Sequence, residues 1–158
     1  MTASIRDSWS SGAAYEGYVG RWSRLVAPMF LDWLAVPPHR RWLDVGCGTA
    51  ILTRAILERC DPVSVGGVDP SPGFLEHARS AVIDPRVRLA QGTAAETGLG
   101  DGSVDAVVSG LVLNFVPDVA AALSGQAGAS VYAVPGDHSL KKNLDVVAAA
   151  AVSWLGGL

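Results

Sequence analysis

The sequence predicts an α/β fold built on a doubly wound, mostly parallel sheet, and three observations carry that expectation. Short apolar strands alternate with amphipathic helical stretches, the pattern that lays helices over the faces of a parallel sheet. A glycine-rich turn joins the first strand to its helix within LDVGCGTA, residues 43–50. A second strand ends on an acidic residue, Asp69, about twenty residues after that turn.

The bulk properties fit one such domain. A chain of 158 residues is long enough for a single α/β core and short for two. Apolar residues make up 49% and charged residues 17%, which suits buried strands and argues against disorder. The net charge of -3 gives no global attraction for phosphate, so a small-molecule partner is expected and nucleic acid is disfavoured. No apolar run reaches the roughly 18 to 20 residues of a spanning helix, and the first residues, MTASIRD, lack a signal-peptide core. A cytoplasmic protein without a membrane span is therefore expected. Cys47 and Cys60 flank a helix of about ten residues and would lie about 15 Å apart, beyond disulfide reach. Two cysteines are also too few for a zinc cage, and no metal is expected.

In chain order, Tyr15, Tyr18 and Trp22 keep to one face of an N-terminal helix. Pro28 interrupts that stretch, which reads either as a kink or as a second helix beginning there and closing before Pro37 and Pro38. Residues 42–45 form the first strand, and residues 50–59 a helix with Ile51, Leu52, Ala55 and Ile56 on one face. Residues 63–68 form the second strand. Ser71 can cap the next helix, with Pro72 at its first position and Phe74, Leu75, Ala78 and Val82 along it. Residues 86–90 alternate as a third strand; Asp101 and Gly102 turn into a fourth at 104–108. Beyond SGQAGAS at 124–130 the composition shifts, and both lysines, Lys141 and Lys142, fall there. Residues 131–134 read as a fifth strand, and Leu140, Leu144, Val147, Ala151 and Leu155 step through a closing helix.

Gly46 and Gly48 lack a Cβ and can take positive φ, so their turn lets a ligand approach the backbone closely. The spacing after Gly48 has no third glycine where a dinucleotide turn requires one, which disfavours NAD. Asp44 suits a ligand carrying an ammonium group, because a carboxylate attracts a cation and repels phosphate. A lone aspartate before a turn can equally cap a helix. Asp69 is placed to accept the hydroxyl protons of a ribose.

At these residues the chain resembles the class I S-adenosylmethionine-dependent methyltransferases, over residues 15 to 123. The resemblance implies a Rossmann-like sheet of order 3-2-1-4-5 and S-adenosylmethionine as cofactor. It implies that Asp44, Gly46, Cys47 and Gly48 hold the methionine moiety, that Asp69 binds the ribose, and that Ser71 borders the adenine. In the loop QGTAAE at 91–96, Thr93 stands where such enzymes commonly carry an acidic residue, leaving adenine to Thr93 and the Ala94 backbone. Tyr18 and Trp22 either cover the cofactor, favouring its sulfonium through cation-π attraction, or pack onto the sheet. The resemblance also implies that Asn114 and Phe115 border the methyl-transfer side. Ala50 takes the last position of the turn, a change that a helix start is expected to accommodate.

The chain departs from the family after the fourth strand, where the usual terminal strand pair is missing and the fold reads as truncated. Residues of about 125–158 instead resemble the end of an α/β-hydrolase, with His138 in the place of a triad histidine. No G-x-S-x-G elbow accompanies it, so His138 reads as a turn residue beside Ser139. His77 reads as a solvated helix position. The expected organisation is a single S-adenosylmethionine-binding domain over 1–158, composite near 124–130, whose exposed fifth strand invites self-association. The expected reaction is displacement of the sulfonium methyl by a small-molecule acceptor, with no catalytic base identified. The alternatives are a cofactor-binding remnant without turnover and an α/β-hydrolase-like fragment.

Overall fold

The structure, a computed structural model, describes residues 20–100, 102–110 and 112. Seven elements follow in chain order: α1 (Arg21–Leu34), β1 (Arg41–Val45), α2 (Ile51–Arg59), β2 (Ser64–Asp69), α3 (Pro72–Ala81), β3 (Val87–Gln91) and β4 (Ala106–Val108). The four strands form one parallel sheet in the order β3-β2-β1-β4. The segments read as a fifth strand and closing helix lie outside the described residues.

β1 is the central strand, and its sequence RWLDV is buried from Trp42 onward because parallel neighbours flank it on both sides. Its side chains alternate between two cores, as strand geometry requires. Trp42 packs with Ala27 and Leu31 of α1, Ala55 and Ile56 of α2, and Val65, Ala106 and Val108 of the sheet. On the opposite face Leu43, Val45 and Val68 pack together, covered by Ala94 and Val104 from the β3–β4 connection.

α1 is one helix that runs through Pro28, so the second helix beginning there does not form. The buried stripe of Ala27 and Leu31 holds the helix against the sheet, where packing outweighs the backbone hydrogen bond that proline removes. α3 begins as its sequence dictates: Ser71 Oγ accepts from Phe74 N at 3.4 Å, and Pro72 opens the first turn. Leu75 and Ala78 fill its buried face.

At the N-terminal edge of the sheet Arg41 holds the short β4 in place. Its Nε and Nη2 donate to Asp105 Oδ2 and Oδ1 at 3.0 and 2.8 Å, and its backbone N–H donates to Oδ2 at 2.8 Å. Those bonds hold the Asp105 carboxyl well below the usual carboxylate range. The strand starts at Ala106 rather than Val104, since Val104 turns into the core beside Leu43 and Val45.

Candidate functional site

The C-terminal ends of β1 and β2 lie side by side, with Asp44 opposite Gly67 and Val45 opposite Val68. Open parallel sheets bind ligands at this edge. Val68 O accepts from both Gly46 N and Cys47 N, at 2.8 and 3.0 Å, so the turn leaving β1 hooks over the end of β2. Ser109, just past β4, donates its hydroxyl to Val45 O at 2.9 Å and closes the other side.

Three alternate residues of the turn are left-handed: Gly46 (φ +71°), Gly48 (φ +53°) and Ala50 (φ +64°). Glycine takes that region without steric cost, whereas a residue with a Cβ gives up about 1–2 kcal/mol. Ala50 is therefore not the easily accommodated helix start that its sequence position implies. It is the N-cap of α2, provides no side-chain cap, and is fully buried. The turn keeps its third left-handed position with alanine in place of glycine.

The space that glycine leaves open at position 46 belongs to Val112. A Cβ at Gly46 would lie 2.6 Å from Val112 Cγ1, so the chain beyond β4 rests directly on the turn. Cys47 faces the other way, and a Cβ on Gly67 would come 3.0 Å from its sulfur. Burial, with the negative charges of Asp44 and Asp69 adding to it, drives the Cys47 thiol far above its ordinary value. Cys47 is buried and packs against Gly67 of β2.

Asp69 joins the two loops of the site. Its Oδ2 accepts from Gly48 N at 2.9 Å and its Oδ1 accepts from Ser71 N at 2.8 Å. Each oxygen keeps a further lone pair. Gly92 N donates to the Asp69 carbonyl at 3.2 Å, which brings the loop after β3 to the same edge. In that loop Thr93 is exposed and exchanges backbone hydrogen bonds with Glu96 at 3.2 Å. Ala94, next in the loop, packs against the core of Leu43, Val45 and Val68.

Asp44 is 1% exposed and accepts the Thr53 hydroxyl from α2 at 2.7 Å. Burial pushes its carboxyl up to about 6, the Thr53 hydrogen bonds oppose that rise, and the charge of Asp69 adds to it. Asp44 thereby ties β1 to the first turn of α2 through Thr53, while Ala50 holds the N-cap position with no side-chain hydrogen bond of its own. Among the described residues no Arg, Lys or His hydrogen-bonds either carboxylate in the site, whereas Asp105, Asp32 and Asp84 each take a direct arginine hydrogen bond.

The edge thus gathers Asp44, Gly46, Cys47, Gly48, Asp69 and Ser71, with Thr93 and Ala94 beside them. Tyr18, Asn114, Phe115 and His138 lie outside the described residues, as does the side chain of Trp22. His77 is half-buried on α3, where its carbonyl accepts from Ser80 Oγ at 2.7 Å. Thr53, Ser109 and Val112 are the residues that sequence reasoning missed. Only Thr53 leaves a local trace, a hydroxyl residue early in the helix after the turn; the other two depend on how β4 is placed.

Residues 43–127 match the methyltransferase domain family. An uncharacterized methyltransferase of Mycobacterium tuberculosis is 44% identical over 110 residues, which cover 68% of this chain and 43% of the relative. The chain therefore spans less than half the length of that protein. Among solved structures, an S-adenosylmethionine-dependent methyltransferase from Mesorhizobium loti is 29% identical with a TM-score of 0.55, covering 60% of this chain and 44% of its own. A chain from the complex of the Haloferax volcanii Trm112 methyltransferase activator with its methyltransferase has a TM-score of 0.67 at 22% identity, over 78% of this chain and 54% of the other, and shares the fold. With its α/β Rossmann-like parallel sheet and a family match over more than half its length, the chain belongs to the methyltransferase domain family.

Proposed function

We propose that this chain binds S-adenosylmethionine at the C-terminal edge of β1 and β2 and supports transfer of its methyl group to a small-molecule acceptor. One observation supports the reading above the rest. Two buried carboxylates, Asp44 and Asp69, flank a turn that leaves open space at the left-handed Gly48, and no basic side chain bonds to them among the described residues. A phosphate would be repelled there, whereas a ligand carrying an ammonium or sulfonium would be attracted. The residues present therefore suit S-adenosylmethionine and disfavour a dinucleotide.

The bound cofactor would supply an electrophilic methyl on a cationic sulfur. The chain's own residues would bind and orient it. The glycine turn gives the methionine moiety access to backbone, Asp69 offers its remaining lone pairs to the ribose hydroxyls, and Ser71 with the Thr93–Ala94 backbone borders the adenine. Asp44 supplies negative charge beneath the turn. Holding the acceptor in line with the methyl, rather than covalent catalysis, would supply most of the rate.

We read residues 1–158 as one such domain in the cytoplasm, with residues 131–134 as the fifth strand of a 3-2-1-4-5 sheet and a composite join near 124–130. No helix among the described residues is long and apolar enough to cross a membrane. Incubation with methyl-labelled S-adenosylmethionine and a panel of small carboxylate, phenol and quinol acceptors tests the function. Labelled product supports methyl transfer; cofactor binding without product supports the remnant; neither, together with ester hydrolysis that needs His138, supports the hydrolase-like alternative.

A further inference from the structure

We propose that cofactor binding to this chain is coupled to release of a proton from Asp44, so that the site loads in neutral conditions and empties in mildly acidic ones. The inference rests on the proposed cofactor site and concerns how that site discriminates charge. Asp44 lies in the sheet's central strand with 1% exposure, and its one hydrogen-bonding side chain is the neutral Thr53 hydroxyl, 2.7 Å away. Among the described residues, the side chains facing it from each neighbouring element add no positive charge. β2 contributes Gly67 opposite it and Asp69 at the strand end, β4 contributes Val108, the turn contributes Cys47, and α2 contributes Thr53. Arg79 on α3 acts on the Cys47 thiol through its charge, and its guanidinium donates to Leu89 O at 3.0 Å.

A carboxylate buried beside a second carboxylate and away from cations holds its proton, which agrees with a carboxyl raised to about 6. A ligand cation entering the site reverses that balance. It favours the ionised Asp44, and the proton leaves to solvent as the cation binds. The cofactor's amino group titrates near 7.7–8.0 in ordinary peptides, so the ligand's own charge stays constant below that range. Linkage then fixes the sign: each pH unit below the raised value costs up to tenfold in affinity until the ordinary carboxylate range is reached.

Isothermal titration of S-adenosylmethionine into the full chain, at about pH 7 and about pH 5, in buffers of different ionisation enthalpy, tests this. Asp44→Asn keeps an oxygen for the Thr53 hydroxyl and provides the folded control. The expected result is a loss of affinity on the order of tenfold from about pH 7 to about pH 5, with a proton released on binding at the lower pH. Both effects should vanish in Asp44→Asn, which binds more weakly at neutral pH. A flat wild-type affinity, or a slope that persists in Asp44→Asn, overturns the proton coupling while leaving the cofactor site standing. Absence of binding at every pH overturns the cofactor reading and the coupling together.

Discussion

The backbone N–H of Gly48 donates to Asp69 Oδ2 at 2.9 Å, across 21 residues of sequence. One carboxylate therefore fixes the tip of the glycine turn, and through its second oxygen it fixes Ser71, at the start of α3. The same group that would meet the ribose also holds the two loops between which the ribose would lie.

Asp69→Ala removes both of these bonds. Hydrogen bonds to a charged group are worth about 1.5–3 kcal/mol, so cofactor affinity should fall at least tenfold. Asp69→Asn retains one acceptor oxygen and should fall between wild type and alanine. Titration calorimetry on variants whose circular dichroism matches wild type checks the order, and equal affinity across all three would remove Asp69 from the site.

Asp44→Asn should have opposite effects on stability and binding. The folded Asp44 carboxyl, at about 6, lies above its unfolded value near 3.9. Its contribution to stability is therefore fully present below about pH 4 and is lost as pH rises through about 6. At neutral pH the buried charge costs roughly 2–3 kcal/mol, which Asp44→Asn should recover without the pH dependence. Urea midpoints between about pH 4 and about pH 7 measure this. A wild type that gains stability over that range would contradict the assignment.

Ala50 gives a backbone test. Ala50→Gly relieves a left-handed penalty of about 1–2 kcal/mol but loses a buried methyl worth about 0.8 kcal/mol and gains unfolded-state entropy, so stability should change by less than about 1 kcal/mol. Ala50→Val places a β-branched side chain at φ +64° in a fully buried position and should cost more than about 2 kcal/mol. Thermal unfolding distinguishes them; a tolerated valine would mean that the turn is not left-handed at position 50.

Gly46→Ala should destabilise the protein because its Cβ would collide with Val112, and Val112→Ala should recover part of that loss. The double-mutant cycle should show a favourable coupling of about 0.5–3 kcal/mol, as for residues in direct contact. Additive effects would separate Val112 from the turn.

What the sequence made legible was local. Ser71 and Pro72 announce the start of α3, and the short run from Trp42 to Val45 announces the first strand, because capping and burial act through neighbouring residues. The glycine turn and Asp69 fell at the expected edge because two consecutive parallel crossovers leave few places for them. Pro28 was ambiguous, since only the packing of Ala27 and Leu31 decides whether one helix survives it. The Asp44–Thr53 bond, the Ser109 cap on Val45 and the contact between Val112 and Gly46 bring together residues from different elements, so they appear only once the sheet is assembled. Ala50 was misjudged because residue type suggested a helix start, whereas the turn geometry demanded a left-handed residue.

Asp44 and Asp69 make the glycine turn a site for a cationic ligand rather than for a phosphate. Titrating one preparation in parallel with S-adenosylmethionine and with NAD measures that directly. The account predicts saturable heat for S-adenosylmethionine, abolished in Asp69→Ala, and none for NAD at the same concentration. Saturable binding of NAD with no response to S-adenosylmethionine would contradict it.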